Sequence, residues 1–281
     1  MKLILPALFI MVLCCSTMHA QRYIRSIRYV KLNVFDTTQG DWFFAGSTVN
    51  ALHTLTHDYV IDDELLFTEG DEFDIDLIEE TERNLRRTGL FSRVTVVAKN
   101  SGDDSVDVVV TSQDQWSTTG AVLYGSGGGI SNYGARIEEF NLAGTANTVA
   151  MQGLYRTEND TRWQGTGSLR LRRFLRTPLN ISTAIEANRF RTLQAFSIGK
   201  PFWTIETPYS YSLDAVNNFG NTFLYAPGGA PQLLPFTTRT LSVMGAKSAG
   251  ERDRYFASLL ISIEDIQRVA PQFRQALDNS A

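Results

Sequence analysis

The chain is poor in cysteine. Its two cysteines, Cys14 and Cys15, stand side by side near the N-terminus, and residues 21–281 contain none. The body of the protein therefore has no disulfide framework and no thiol chemistry. Long apolar runs are equally scarce. Leu3 to Leu13 is one, opened by Met1-Lys2 and closed by Thr17-Met18-His19-Ala20. That pattern marks residues 1–20 as a secretory signal peptide, because a spanning helix needs about 20 apolar residues. A lipoprotein signal would want Leu where Met11 or Val12 stands and small residues before the cysteine, so lipidation is not expected. With no second apolar run, a mean hydropathy of −0.13 excludes a helical membrane protein but leaves a β-barrel open.

Recognisable catalytic and ligand-binding signatures are also missing. His53 and His57 are four apart, but no His-Glu-x-x-His accompanies them, so His53 reads as a packing residue and no metal is expected. Gly125-Ser126-Gly127-Gly128-Gly129 lacks the Lys and Ser or Thr that hold phosphate, and reads as a strand bend or turn. Gly-x-Ser-x-Gly does not occur. Neither catalytic residues nor a cofactor are expected.

Charge splits the chain in two. Residues 21–114 carry 9 Lys and Arg against 18 Asp and Glu, a net of −9, whereas residues 115–281 carry 16 against 12, a net of +4. The acidic part reads first as a solvated surface and second as a face for a basic partner.

What the chain has in abundance is alternation. Trp163, Gly165, Gly167, Leu169 and Leu171 interleave with Gln164, Thr166, Ser168, Arg170 and Arg172. Leu179 to Asn188 and Tyr209 to Ala215 repeat the pattern. Side chains of successive strand residues point to opposite faces, so each segment has one apolar and one polar face. Aromatic residues such as Trp163, Phe190, Tyr209, Phe223 and Tyr255 cluster near strand ends, as interfacial girdles do. Together these features predict an antiparallel transmembrane β-barrel over residues 115–281, with strands near 117–128, 132–142, 147–157, 162–173, 179–190, 192–201, 208–219, 234–248 and 254–266. Single-chain bacterial barrels have even strand numbers. About nine strands, with no alternation after Val269 and no terminal aromatic, point to an incomplete barrel. Alternation puts Arg170 and Arg172 on the polar face, where lumenal pairing is expected.

Residues 21–114 read differently. A strand over 24–36 precedes a Gly-, Thr- and Ser-bearing connection from Thr37 to Ser47. Thr56 is placed to cap a helix in which Val60, Ile61, Glu64, Leu65 and Phe67 recur at helical spacing. Asp74 caps a second helix with Ile75, Ile78, Thr81 and Leu85 as its stripe, Glu79–Arg83 and Glu82–Arg86 as four-apart pairs, and Gly89 as its end. Phe91 to Ala98 and Val106 to Thr111 are strands. The order is β-α-α-β-β. Val108-Val109-Val110 makes the last strand central and leaves Phe91 to Ala98 at an edge.

These residues resemble a known family. Asn50-Ala51-Leu52-His53, Thr56, Val60-Ile61, Glu64-Leu65-Leu66-Phe67, Glu69-Gly70-Asp71, Glu82-Arg83, Gly89 and Val94 are similar to a POTRA domain of the BamA/TamA superfamily. Asp114-Gln115-Trp116-Ser117 resembles the junction where the barrels of that family begin. Glu138 to Thr145 resembles their strand-and-turn motif, and Ile198-Gly199-Lys200-Pro201-Phe202-Trp203 resembles a recurring turn, with Lys in place of Arg. The Arg-Gly-Phe loop motif of the family is absent. The resemblance implies a periplasmic POTRA domain, a barrel in the outer membrane, and no catalytic residue or cofactor. It also implies work on unfolded outer-membrane or secreted polypeptides in a lipid bilayer, with periplasmic assembly partners and no nucleic acid.

The expected function is outer-membrane protein assembly or polypeptide translocation, with clients captured by strand addition along Phe91, Arg93, Val94, Thr95, Val96 and Val97. The alternatives are a passive outer-membrane pore and a secreted glycan-binding β protein. Both membrane readings expect residues 21–281 to need detergent to stay in solution; a protein that remains soluble and monodisperse without it would favour the secreted reading.

Overall fold

The structure is a computed structural model that describes residues 22–35, 43–102, 104–204, 207–225, 232–250 and 254–268. The segment read as an export signal and the tail from Val269 onward lie outside the described residues.

The N-terminal unit comprises β1 (Tyr23–Leu32), α1 (Phe43–Leu52), α2 (Asp58–Asp62), α3 (Ile75–Arg87), β2 (Phe91–Asn100) and β3 (Ser105–Asp114). Its sheet has the order β1-β3-β2, with β3 parallel to β1 and antiparallel to β2. The Val108-Val109-Val110 run is central, as its apolar continuity requires. Helix α3 keeps its local signals: Asp74 accepts from Asp76 N at 2.8 Å, and both four-apart ion pairs form. Ile78, Thr81 and Leu85 face inward, whereas Ile75, expected in the same stripe, is exposed at the start of the helix. Ile24, Ile61, Leu85, Val94, Val108 and Val110 are each no more than 2% exposed and form one core between helices and sheet. On the surface, Arg25 and Ser26 of β1 bond Asp107 of β3. The Arg25 guanidinium holds the Asp107 carboxyl well below the usual carboxylate range.

Two local expectations change. The connection expected over residues 37–47 contains the start of α1, whose Gly46, Ser47 and Thr48 carry weak helix propensity and hid it. The helix expected from Thr56 to Phe67 contracts to α2, five residues long. His57, not Thr56, holds the capping position and makes no side-chain cap. The Thr56 hydroxyl instead donates to Asp114 Oδ2 at 2.9 Å. A buried carboxylate left without donors costs more than an N–H at an exposed helix end, which water can satisfy, so the tertiary contact wins.

The second sheet is built from β4 (Thr118–Gly127), β5 (Ile130–Glu139), β6 (Thr148–Arg156), β7 (Arg162–Leu171), β8 (Asn180–Asn188), β9 (Arg191–Lys200), β10 (Tyr209–Leu224), β11 (Gln232–Ala249) and β12 (Tyr255–Arg268). All nine are antiparallel neighbours in sequence order, and the sheet is open, with β4 and β12 as its edges. Gly128 and Gly129 take positive φ in the tight β4–β5 hairpin, where a side chain would be strained. The pairing register turns the sequence alternation into rows. Thr148, Arg170, Ser182, Ser197, Asp214, Ser242 and Ser262 lie in register across seven strands. One position along, Leu171, Ile181, Ile198, Leu213, Val243 and Ile261 form the apolar row of the opposite face. Gln194, Asn217, Arg239 and Asp265 interrupt that apolar face in register, and Asn217 Nδ2 donates to Gln194 Oε1 at 3.1 Å. At one end, Tyr133 stacks on Tyr155, which meets the Trp163 ring edge-on at 5.3 Å.

The core that folds the N-terminal unit depends on α3. Leu85→Ala removes a fully buried side chain and should cost about 3 kcal/mol. Urea unfolding of the N-terminal unit, followed by circular dichroism in detergent, checks this; an unchanged midpoint would place α3 outside the core.

Candidate functional site

Two features of the N-terminal unit face outward from its core. The first is the free edge of β2. Phe91, Val94 and Val96 turn their side chains into the core, at 7%, 2% and 8% exposure, while Arg93, Thr95 and Val97 point away from it. The register slips between Phe91 and Arg93, then runs evenly from Val94 to Asn100 against β3. Of the six residues expected to bind clients, the three buried ones offer only their backbone. Any recognition here is by main-chain hydrogen bonding, with Arg93, Thr95 and Val97 as the side chains a second strand would meet.

The second feature is the joint between the two sheets, and its centre is Asp114, the last residue of β3. Its carboxylate is fully buried. Oδ2 accepts from Thr56 N at 2.7 Å and from Thr56 Oγ1 at 2.9 Å, and lies 2.9 Å from His53 Nε2. Having donated its proton, the Thr56 hydroxyl accepts from Asn141 Nδ2 at 2.9 Å. Asn141 belongs to the β5–β6 turn, and its Oδ1 accepts from Ala146 N at 2.8 Å. The chain of bonds thus passes from the N-terminal unit into the second sheet without leaving the interior. Beside it, Gly144 O accepts from His57 N at 2.9 Å. A Cβ on Gly144 would fall 2.4 Å from Leu55 O, and φ is +72° there, so only glycine lets the two backbones meet.

A charged latch lies alongside. Glu64 is 3% exposed. It accepts from Arg172 Nη2 at 3.1 Å and from Arg173 Nε at 3.0 Å. Both guanidiniums also lie against the Trp203 ring, at 4.9 and 4.2 Å from its centroid. Further out, Arg176 reaches Asp63 at 3.0 Å and covers the Tyr59 ring. The turn that presents these arginines holds Arg173, Leu175 and Arg176 at positive φ, a conformation that costs non-glycine residues on the order of 1 kcal/mol each. The ion pairs offset that strain. A cleft of about 450 Å³ opens between this turn, Tyr59 and Val60.

The lumenal pairing expected for Arg172 is overturned. Arg172 sits just past the end of β7, where alternation no longer assigns a face, and it bonds the N-terminal unit instead. Arg170 keeps its place in the polar row. His53 and His57 do not converge: His53 meets Asp114, while His57 stacks on Tyr59 at 5.6 Å between ring centroids. Glu64, Asp114, Asn141 and Trp203 were not singled out as site residues. They stand within the family-like motifs, and Arg172-Arg173 is a doubled arginine at a strand end, but none of these signals names a partner 108 residues away.

Residues 49–112 match the family model of the POTRA domain, described as a surface antigen variable number repeat. No curated protein matches the chain significantly. Among solved structures, BamA from Haemophilus ducreyi lacking POTRA domains 1–3 is similar at 16% identity and a TM-score of 0.50, over 86% of this chain and 48% of that one. CdiB from Acinetobacter baumannii is 8% identical with a TM-score of 0.47, over 89% of this chain and 47% of that one. CdiB from Escherichia coli is 13% identical with a TM-score of 0.43, over 85% and 46%. The chain spans about half the length of these structures. The likeness to BamA shows a shared fold: a POTRA domain followed by the antiparallel strands of a β-barrel.

The latch makes a separate demand. Glu64→Ala leaves two guanidiniums at about one-fifth exposure without their carboxylate, which should loosen the joint by on the order of 3 kcal/mol. Tryptic cleavage after Arg172 or Arg173 should then accelerate at least about tenfold in folded protein; an unchanged rate would show that the latch does not hold the two units together.

Proposed function

We propose that this POTRA–β-barrel chain works at an outer membrane in the assembly or translocation of polypeptides, with the β2 edge capturing extended clients. The two-faced β4–β12 sheet supports the membrane part of the reading. Its apolar rows suit lipid, and its backbone groups are satisfied between strands everywhere but along the β4 and β12 edges, as a bilayer favours. The N-terminal POTRA domain carries the protein-handling part, because a plain pore has no need of it. The single observation that supports client capture is an even, peripheral β2 ladder on a domain fastened to the barrel strands by Asp114 and Glu64. A client paired along that edge is held in strand form at a fixed distance from the turns of the barrel sheet. The chemistry proposed is hydrogen-bond exchange alone: no bond is broken, and no metal, nucleotide or other cofactor takes part. The proposed partners are unfolded outer-membrane or secreted polypeptides, the lipid bilayer and periplasmic assembly proteins, with the N-terminal domain in the periplasm.

The position of a test mutation follows from the ladder. Val94 and Val96 are core side chains, so proline at either would disturb packing as well as the edge. Ala98 has the same parity along the ladder and a small side chain, and its N–H points away from β3. Ala98→Pro should keep the fold and weaken binding of an extended peptide about tenfold, by removing one donor and raising a ring against the incoming strand. Fluorescence anisotropy with a labelled strand peptide measures this; equal affinity for both proteins would end the strand-addition reading.

The polar row from Thr148 to Ser262 favours one other reading, a passive pore lined by that face. Planar-bilayer conductance distinguishes the two. Conductance that is substantial and indifferent to deletion of residues 21–114 would favour the pore.

A further inference from the structure

The β2 edge is not bare. Val96 N donates to Glu82 Oε2 at 2.8 Å, and Val94 O accepts from Arg86 Nη2 at 3.3 Å. Both side chains come from α3, one turn apart, and they are paired with each other. In a parallel ladder, one residue of the incoming strand donates its N–H to a carbonyl and accepts from the N–H two residues further along. Arg86 and Glu82 supply that same donor and acceptor on either side of Thr95. Two side chains thus stand where one residue of an added strand would stand. An antiparallel strand would need the same two backbone groups. Beyond them, Ala98 meets no such side chain among the described residues.

We propose that Glu82 and Arg86 form a displaceable guard over the middle of the client-binding edge. An extended segment pairs first at Ala98 to Asn100, then continues to Val94 by taking over the bonds to Val94 O and Val96 N. This rests on the strand-addition reading and adds its regulation. Exposed edges pair with any available strand, and charged side chains are a common way to prevent it. Here the charges bond the edge itself, and their position makes them removable. The Arg86 side chain is 56% exposed and that of Glu82 22%, so both can swing to water while α3 stays seated on its buried residues. Their mutual ion pair survives the swing, which keeps displacement inexpensive. The guard therefore selects for segments long enough to replace both bonds. Short or irregular segments gain too little to open it.

The test uses the full chain in detergent micelles and a labelled 14-residue peptide with the sequence of residues 209–222, an alternating strand of this protein. Glu82→Ala with Arg86→Ala should bind the peptide about tenfold more tightly than the unmodified chain. Arg86→Ala alone should give about threefold, and because alanine favours helix and Arg86 is exposed, that single variant keeps α3 intact. Adding Ala98→Pro should abolish the gain. If the peptide binds the unmodified chain and Ala98→Pro weakens it, but the guardless variants bind no better, the guard is refuted and strand addition stands. If no variant binds the peptide, both the guard and the strand-addition reading fail.

Discussion

The carboxylate of Asp114 is the constraint on which the arrangement rests. A buried carboxylate is costly without donors. Thr56 supplies two, both to Oδ2, and His53 contacts the same oxygen, while the buried Oδ1 has no hydrogen-bond partner among the described residues. The same threonine hydroxyl then takes the Asn141 amide. One side chain thereby sets where the POTRA domain stops and where the barrel strands begin, since β4 starts at Thr118, four residues on. Gly144 against Leu55 and Glu64 under Arg172 and Arg173 add fixed points on either side of this centre.

The two halves of the chain solve opposite solvation problems. In the POTRA domain, apolar side chains gather between helices and sheet, and nearly all of the buried apolar residues lie there. In the barrel sheet, large apolar residues such as Val122, Trp163, Leu241 and Ile263 face outward. Such a face is unfavourable in water and suited to lipid. The joint combines a small apolar contact, Ala146 and Phe140 against the N-terminal core, with hydrogen bonds, ion pairs and the Trp203 ring. Its polar residues are widely separated in sequence. The same economy governs the β2 edge, where two helix side chains satisfy main-chain groups that a peripheral strand leaves open.

Periodicity alone determined most of the secondary structure. Alternation placed nine barrel strands to within a few residues, because a strand shows its period directly in side-chain polarity. Helix α3 was legible from Asp74, its four-apart pairs and its stripe, all of them local signals. The Val108-Val109-Val110 run identified the central strand, and with it the edge. By contrast, α1 has weak propensity around Gly46, Ser47 and Thr48, so no local signal announced it.

Tertiary structure decided who meets whom. Thr56 has the residue type of a helix cap, yet it serves Asp114, because a buried carboxylate needs donors while the N–H groups of an exposed helix end can be met by water. Arg172 has the parity of a lumenal residue, but the strand ends at Leu171 and parity ends with it. Glu82 and Arg86 look like an ordinary surface pair on α3. Only the packing of that helix beside β2 brings them to Val94 and Val96. A sequence records the period and charge of each segment, which depend on neighbours a few residues away. Contacts between segments depend on how those segments pack, and the residues that make them carry no mark of their partners.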